Sequence, residues 1–251
     1  MYIEQQGQGP DVVLVHGWGL HGGIWADLPA RLATHHRVSV VDLPGHGRSR
    51  GMPCPDDLPQ LAQRVAQQLP APATWVGWSL GGLIAMRVAL QFPAQVARLV
   101  LVASTPCFVQ ALDWRAAMPA EVLTQFAQEL AQDYRATLQR FLSLQMGMDV
   151  AGRALLKTLR HAMFCYGEPD AAALIAGLTI LRDTDLRSCL PQITCPSLII
   201  HGGHDRLASV AAAEYLQARL RGAQRACIDA AGHAPFLSHP DQFHQLLRDF
   251  L

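Results

Sequence analysis

The sequence predicts an α/β architecture: a mostly parallel central sheet flanked by helices, with an inserted all-helical cap. Three observations predict it. Short apolar runs near Val12, Val38, Thr74 and Leu99 alternate with helix-period stretches, which is the rhythm of strand–helix–strand units. After Ala103 that rhythm stops, helical periodicity runs on to Asp183, and the strand pattern resumes at Ser197. Between the apolar run Thr74-Trp75-Val76 and a helix-like run from Leu83 stands the pentapeptide Gly77-Trp78-Ser79-Leu80-Gly81, the composition of a sharp strand-to-helix turn.

Taken in order, Val12 to Val15 reads as a strand that empties into His16-Gly17-Trp18-Gly19, and Trp25 to Ala33 as a helix. Val38 to Val41 is the next strand, followed by the turn-rich loop Asp42-Leu43-Pro44-Gly45-His46-Gly47-Arg48-Ser49. Helices follow at Leu58 to Leu69 and Leu80 to Gln91, with the Thr74 strand between them. The stretch from about Cys107 to Asp183 shows helical spacing without a strand. Ser197 to Ile200 and Arg225 to Ile228 are strands again, each followed by a helix, at Ala211 to Leu220 and Asp241 to Leu251. The expected division is a core of residues 1–106 and 184–251 with a cap of residues 107–183.

The pentapeptide points to nucleophilic chemistry. Small residues at Gly77 and Gly81 leave room for a strained turn, and Ser79 then presents its hydroxyl at the positive end of a helix. A hydroxyl needs a base, and that base needs an orienting acid. His233, in Gly232-His233-Ala234-Pro235-Phe236, and Asp205, in His201-Gly202-Gly203-His204-Asp205, both follow apolar strands. Ligands bind at such strand ends in an open sheet. Asp229 is a rival acid, disfavoured because it lies four residues before His233 on one short connection. The backbone amides of Trp18 and Leu80 are the candidate oxyanion donors, one after the His-Gly turn and one after the nucleophile. His16 reads as a loop tie and Asp42 as a structural hydrogen-bonding residue.

With these residues in place, the chain resembles the α/β-hydrolases, in which the triad runs in the order Ser79, Asp205, His233. Within them it is similar to the pimeloyl-[acyl-carrier protein] methyl ester carboxylesterases of biotin synthesis. The resemblance is carried by His16-Gly17-Trp18-Gly19-Leu20, Val41 to Gly51, Trp75 to Leu83, Val102 to Phe108, Arg140 to Gln145 and Gly232 to Pro240. It implies a serine carboxylesterase that works through an acyl-enzyme without metal or organic cofactor. It also implies substrate contacts at Phe141, Leu142, Ser143, Leu144 and Gln145, and an acyl-carrier protein as partner. Arg153, Lys157 and Arg160 are spaced to share one helix face. With Arg140 they are the candidate docking patch for that acidic partner, the other reading being a solvated face. Alternatives on the same scaffold are a broad short-chain esterase or thioesterase, and a ligand-binding receptor that retains the triad.

Composition narrows the classes. Half of the 251 residues are apolar and the formal net charge is zero, so a sizeable core is expected and no bulk attraction to nucleic acid or an anionic membrane. The first residues lack a basic segment followed by an apolar one, and no run reaches about 18 apolar residues, as a membrane helix would need. Six cysteines are scattered without metal-ligand spacing, so reduced thiols in the cytoplasm are expected rather than disulfides or zinc. The expected unit is a monomer. Met118, Met146, Met148 and Met163, with Trp114, Phe126, Phe141 and Phe164, crowd the cap. They suit either a slot for a methylene chain or the cap's own packing.

Overall fold

The computed structural model describes residues 1–144 and 165–251. Its strands are β1 (Ile3–Gln6), β2 (Asp11–Val15), β3 (Arg37–Val41), β4 (Ala73–Trp78), β5 (Val96–Val102), β6 (Ser197–Gly202) and β7 (Gln224–Ile228). The described α-helices are α1 (Leu28–Leu32), α2 (Leu58–Ala66), α3 (Leu80–Gln91), α4 (Ala120–Leu144), α5 (Ala171–Asp183), α6 (Val210–Arg219), α7 (Pro235–Ser238) and α8 (Pro240–Phe250).

The seven strands form one sheet in the order β1-β3-β2-β4-β5-β6-β7. Only β1 runs antiparallel, against β3, and every other neighbouring pair is parallel. Parallel strands covered on both faces need apolar residues at successive positions. β4 meets that requirement, with all six of its residues buried. The helix it feeds, α3, is buried from Leu80 through Met86, as a helix apolar on all sides must be. Trp75, Val76, Leu83, Ile84, Val100 and Leu101 are fully enclosed in this centre. Each such aliphatic side chain contributes about 1.5–3 kcal/mol by leaving water. The strand ends that carry the candidate residues are therefore fixed by the best-packed part of the molecule.

Several expectations are revised. β1 escaped the sequence reading because it is a short edge strand with polar residues at Glu4, Gln5 and Gln6 and no buried position. The expected helix from Trp25 is two pieces, a 3-10 turn at Gly22–Trp25 and α1, separated by Ala26 with φ of 49°. The segment after β5 is not helical at first. Residues 107–118 are held by bridges pairing Val109 with Met118 and Ala111 with Trp114, and helix begins at Ala120. α4 itself breaks at Asp133 (φ −149°, ψ 91°). The Asp133 carboxylate accepts from the Ala136 amide and so restarts the second half. The two ends of the excursion meet: Cys107 bridges Asp185, and the Leu186 amide donates to the Pro106 carbonyl at 2.9 Å. Among the described residues no helix is long and apolar enough to cross a membrane.

Candidate active site

Ser79 sits between the last residue of β4 and the first of α3 with φ 55° and ψ −117°. A non-glycine residue held there costs on the order of 1–3 kcal/mol, so its surroundings must impose it. They do. The Ser79 amide donates to the Val102 carbonyl at 3.0 Å, its carbonyl accepts from the Gly82 amide at 2.9 Å, and Ser104 Oγ donates to that same carbonyl at 2.8 Å. A Cβ on Gly77 would stand 2.2 Å from the Gly81 carbonyl oxygen, and one on Gly81 2.2 Å from that of Val15. Glycine at both positions is a steric requirement of the turn.

His233 follows β7 and Asp205 follows β6, and the parallel sheet brings both to the edge where Ser79 stands. His233 Nε2 lies 2.9 Å from Ser79 Oγ, and His233 Nδ1 lies 2.8 Å from Asp205 Oδ2. The carboxylate can only accept, so Nδ1 carries the proton and Nε2 is left to take the hydroxyl proton. Asp205 Oδ1 accepts the amides of Leu207 and Ala208 at 2.9 and 3.0 Å, which fixes the carboxylate's rotation. The His233 backbone is held in turn, its carbonyl accepting from Trp78 Nε1 at 2.7 Å. Asp229, the rival acid, is exposed, and the acid joined to His233 is Asp205.

The loop after β2 passes beside Ser79: a Cβ on Gly17 would stand 3.2 Å from the Ser79 Cβ. Leu80 opens α3, so its amide has no acceptor within the helix. Trp18 is buried, and its Nε1 donates to the Leu174 carbonyl of α5 at 2.8 Å. A Cβ on Gly177 would stand 2.5 Å from Trp18 Cδ1, and one on Gly19 2.7 Å from Leu138 Cδ2 of α4. Helices α4 and α5 thus both press on this loop. His16 joins loop to loop, its Nε2 accepting from the Leu43 amide at 2.9 Å and its Nδ1 donating to the Gly17 carbonyl at 2.8 Å. Burial pushes the His16 imidazole down to about 3, so it is a neutral tie. Asp42 takes the amides of Gly22 and Arg48 and the Arg48 guanidinium. Burial alone would raise its carboxyl, and the bonds from Arg48 and the Gly22 amide, with His16 nearby, together outweigh burial and hold it below 3.8.

The model of the alpha/beta hydrolase fold family matches residues 10–240, most of the chain. This chain belongs to the alpha/beta hydrolase fold family. A pimeloyl-[acyl-carrier protein] methyl ester esterase of Xanthomonas axonopodis pv. citri is 46% identical over 251 residues, covering 100% of this chain and 98% of that protein. The enzyme of the same description from Nitrosomonas europaea is 44% identical, covering 97% of this chain and 96% of its own. Among solved structures, an esterase of Exiguobacterium antarcticum superposes with a TM-score of 0.91 at 26% identity, covering 99% of this chain and 94% of that one.

In this alpha/beta hydrolase most of the remaining expected site residues lie wholly or partly outside the described residues. Phe141, Leu142, Ser143 and Leu144 belong by backbone to the last turns of α4, and their side chains lie outside the described residues. Gln145, Arg153, Lys157 and Arg160 lie outside them altogether, as do Met146, Met148, Met163 and Phe164. Arg140 is half exposed but engaged: its guanidinium is paired with Glu129 and lies 5.2 Å from the Phe126 ring centre. An acidic partner would meet it only in competition with Glu129. Arg135 is likewise paired, with Glu168. Trp114, Met118 and Phe126 are buried, and Trp114 stacks edge-on against Tyr215 of α6 at 4.9 Å, so these three serve packing. Sequence reasoning missed Ser104 and Gly177, whose roles come from contacts made across long stretches of chain.

Proposed function

We propose that this chain is a serine carboxylesterase that hydrolyses the methyl ester of pimeloyl-[acyl-carrier protein] to the free acid and methanol, a step of biotin synthesis. It acts as a single chain in the cytoplasm. The observation that carries the reading is the continuous relay from Ser79 Oγ through His233 to Asp205, at 2.9 and 2.8 Å. The full-length likeness to esterases of that description supports the substrate. Ser79 Oγ gives its proton to His233 Nε2 and attacks the ester carbonyl carbon, and Asp205 stabilises the imidazolium. The Trp18 and Leu80 amides take the oxyanion. Collapse expels methoxide, which leaves as methanol with the proton from His233. Water, deprotonated by the same imidazole, then attacks the acyl-enzyme and frees Ser79.

Residues 107–183 are assigned as the cap over this site. The pairing of their ends, and the reach of Leu138 and Leu174 to the Trp18 loop, support the assignment. Phe141 to Gln145 would line the acyl slot, and Arg140, Arg153, Lys157 and Arg160 would face the carrier protein.

The test sets three substrates side by side: the carrier-bound pimeloyl methyl ester, p-nitrophenyl butyrate and an acyl thioester. Methanol release from the first, with kcat/KM about ten-fold or more above the small ester, is expected if carrier contacts contribute at least 1.4 kcal/mol. Thioester cleavage that leaves the methyl ester intact would overturn the assignment.

A further inference from the structure

His201 is fully buried near the end of β6, in register with Cys227 of β7. Its Nε2 lies 2.7 Å from the Ala208 carbonyl oxygen. A carbonyl only accepts, so that nitrogen carries the proton and the ring is the Nε2–H tautomer. Nδ1 is then bare, and no hydrogen-bond partner reaches it among the described residues. Nε2 itself stands 3.6 Å from Asp205 Oδ2, the oxygen that holds His233. That distance is too long for a full hydrogen bond, so the ring reaches the carboxylate through the turn rather than by a direct bond.

The acid turn is consequently gripped from both sides. The Ala208 amide is held by Asp205 Oδ1 and the Ala208 carbonyl by His201. The carboxylate cannot rotate without releasing the Leu207 and Ala208 amides, and the turn cannot open without losing His201. Burial holds the imidazole below 6.5, and the charges facing it divide: Asp205 favours its protonation, while His233 and Arg225 oppose it. A neutral ring supports Asp205 without cancelling the charge that must meet the His233 imidazolium.

We propose that His201 is a positioning residue that holds the 205–208 turn, and through it the Asp205 carboxylate, in line with His233 Nδ1. The proposal rests on the triad reading above.

Two variants test it. His201→Phe removes the Nε2–H and the bare Nδ1 together, while His201→Gln sets an amide N–H near the Nε2 position. His201→Phe is expected to lower kcat for p-nitrophenyl butyrate roughly ten-fold, about the weight of one neutral hydrogen bond, with KM changed less than about two-fold. His201→Gln restores most of the rate. By proton NMR, the downfield His233 Nδ1–H resonance shifts or broadens in His201→Phe and returns in His201→Gln. A wild-type kcat in His201→Phe overturns the proposal. So does a lost rate with the resonance unmoved, or one that His201→Gln fails to restore. Ser79→Ala is measured alongside, and full activity there would sink the triad reading itself, separately from His201.

Discussion

Replacing Gly177 by alanine asks whether α5 sets the geometry of the Trp18 loop, the proposed source of an oxyanion donor. The new Cβ would lie 2.5 Å from Trp18 Cδ1, 3.0 Å from Trp18 Nε1 and 3.6 Å from Leu80 Cδ2. The first is too close to stand and the second is tight, so either the indole or α5 must move by several tenths of an ångström. The Trp18 Nε1 bond to the Leu174 carbonyl, 2.8 Å long, ties indole and helix together and denies the ring an independent shift. Two effects on stability oppose one another. Alanine gains about 1 kcal/mol of helix propensity over glycine, and overpacking costs about 1–3 kcal/mol. The net destabilisation is therefore roughly 0–2 kcal/mol, a small shift in Tm. Catalysis has no such offset. Losing one oxyanion donor costs about 2.7–4 kcal/mol, so a partial displacement of the Trp18 amide predicts a fall in kcat of roughly ten- to a hundred-fold. Steady-state hydrolysis of p-nitrophenyl butyrate, with Tm by calorimetry, separates the two. A variant with wild-type kcat and a lowered Tm would show that Trp18 is only packing and that its amide is not an oxyanion donor.

Triad variants should lose activity as a unit: Ser79→Ala or His233→Ala by roughly five to six decades, with the double variant little worse than either. Asp205→Asn should lose about four decades through the wrong imidazole tautomer. Additive losses in steady-state kinetics would mean the roles are misassigned. Stability should fall with acid from an early point. Burial holds His16, His46 and His201 below 6.5 in the folded chain, so the unfolded chain binds more protons once pH drops under that value. The stability these neutral rings confer is complete above pH 6.5 and declines below it, by up to about 1.4 kcal/mol per pH unit for each ring. Asp42, held below 3.8, adds a further loss at lower pH. Urea unfolding at pH 5, 6 and 7 measures the slope. His46→Asn keeps a donor for the Pro44 carbonyl and should flatten it, whereas an unchanged slope would place the proton uptake elsewhere.

The chain's local patterns were enough for the order of β2 to β7, for the turn at Ser79 and for the three candidate triad residues. Each is a short-range matter: alternating periodicity, two glycines flanking a serine, a histidine and an aspartate placed just after apolar strands. Helix ends at Gln91, Arg219 and Phe250 fall within a residue or so of the expected ones because apolar spacing stops there. The polar edge strand β1 gave no such signal, since its pairing with β3 rather than its own pattern makes it a strand. Spacing along the chain favoured Asp205 over Asp229, and the tertiary structure supplied the physical reason: the sheet's register places one carboxylate against His233 and leaves the other at the surface. Tertiary structure alone showed that Arg140 is paired with Glu129, eleven residues away and beyond the break at Asp133. The same holds for Ser104 on the Ser79 carbonyl, Gly177 against Trp18 and His201 on the Ala208 carbonyl. A sequence specifies local geometry through steric and hydrogen-bonding preferences of neighbouring residues. Which side chain satisfies which distant polar group is settled only when the packed core brings them within about 3 Å.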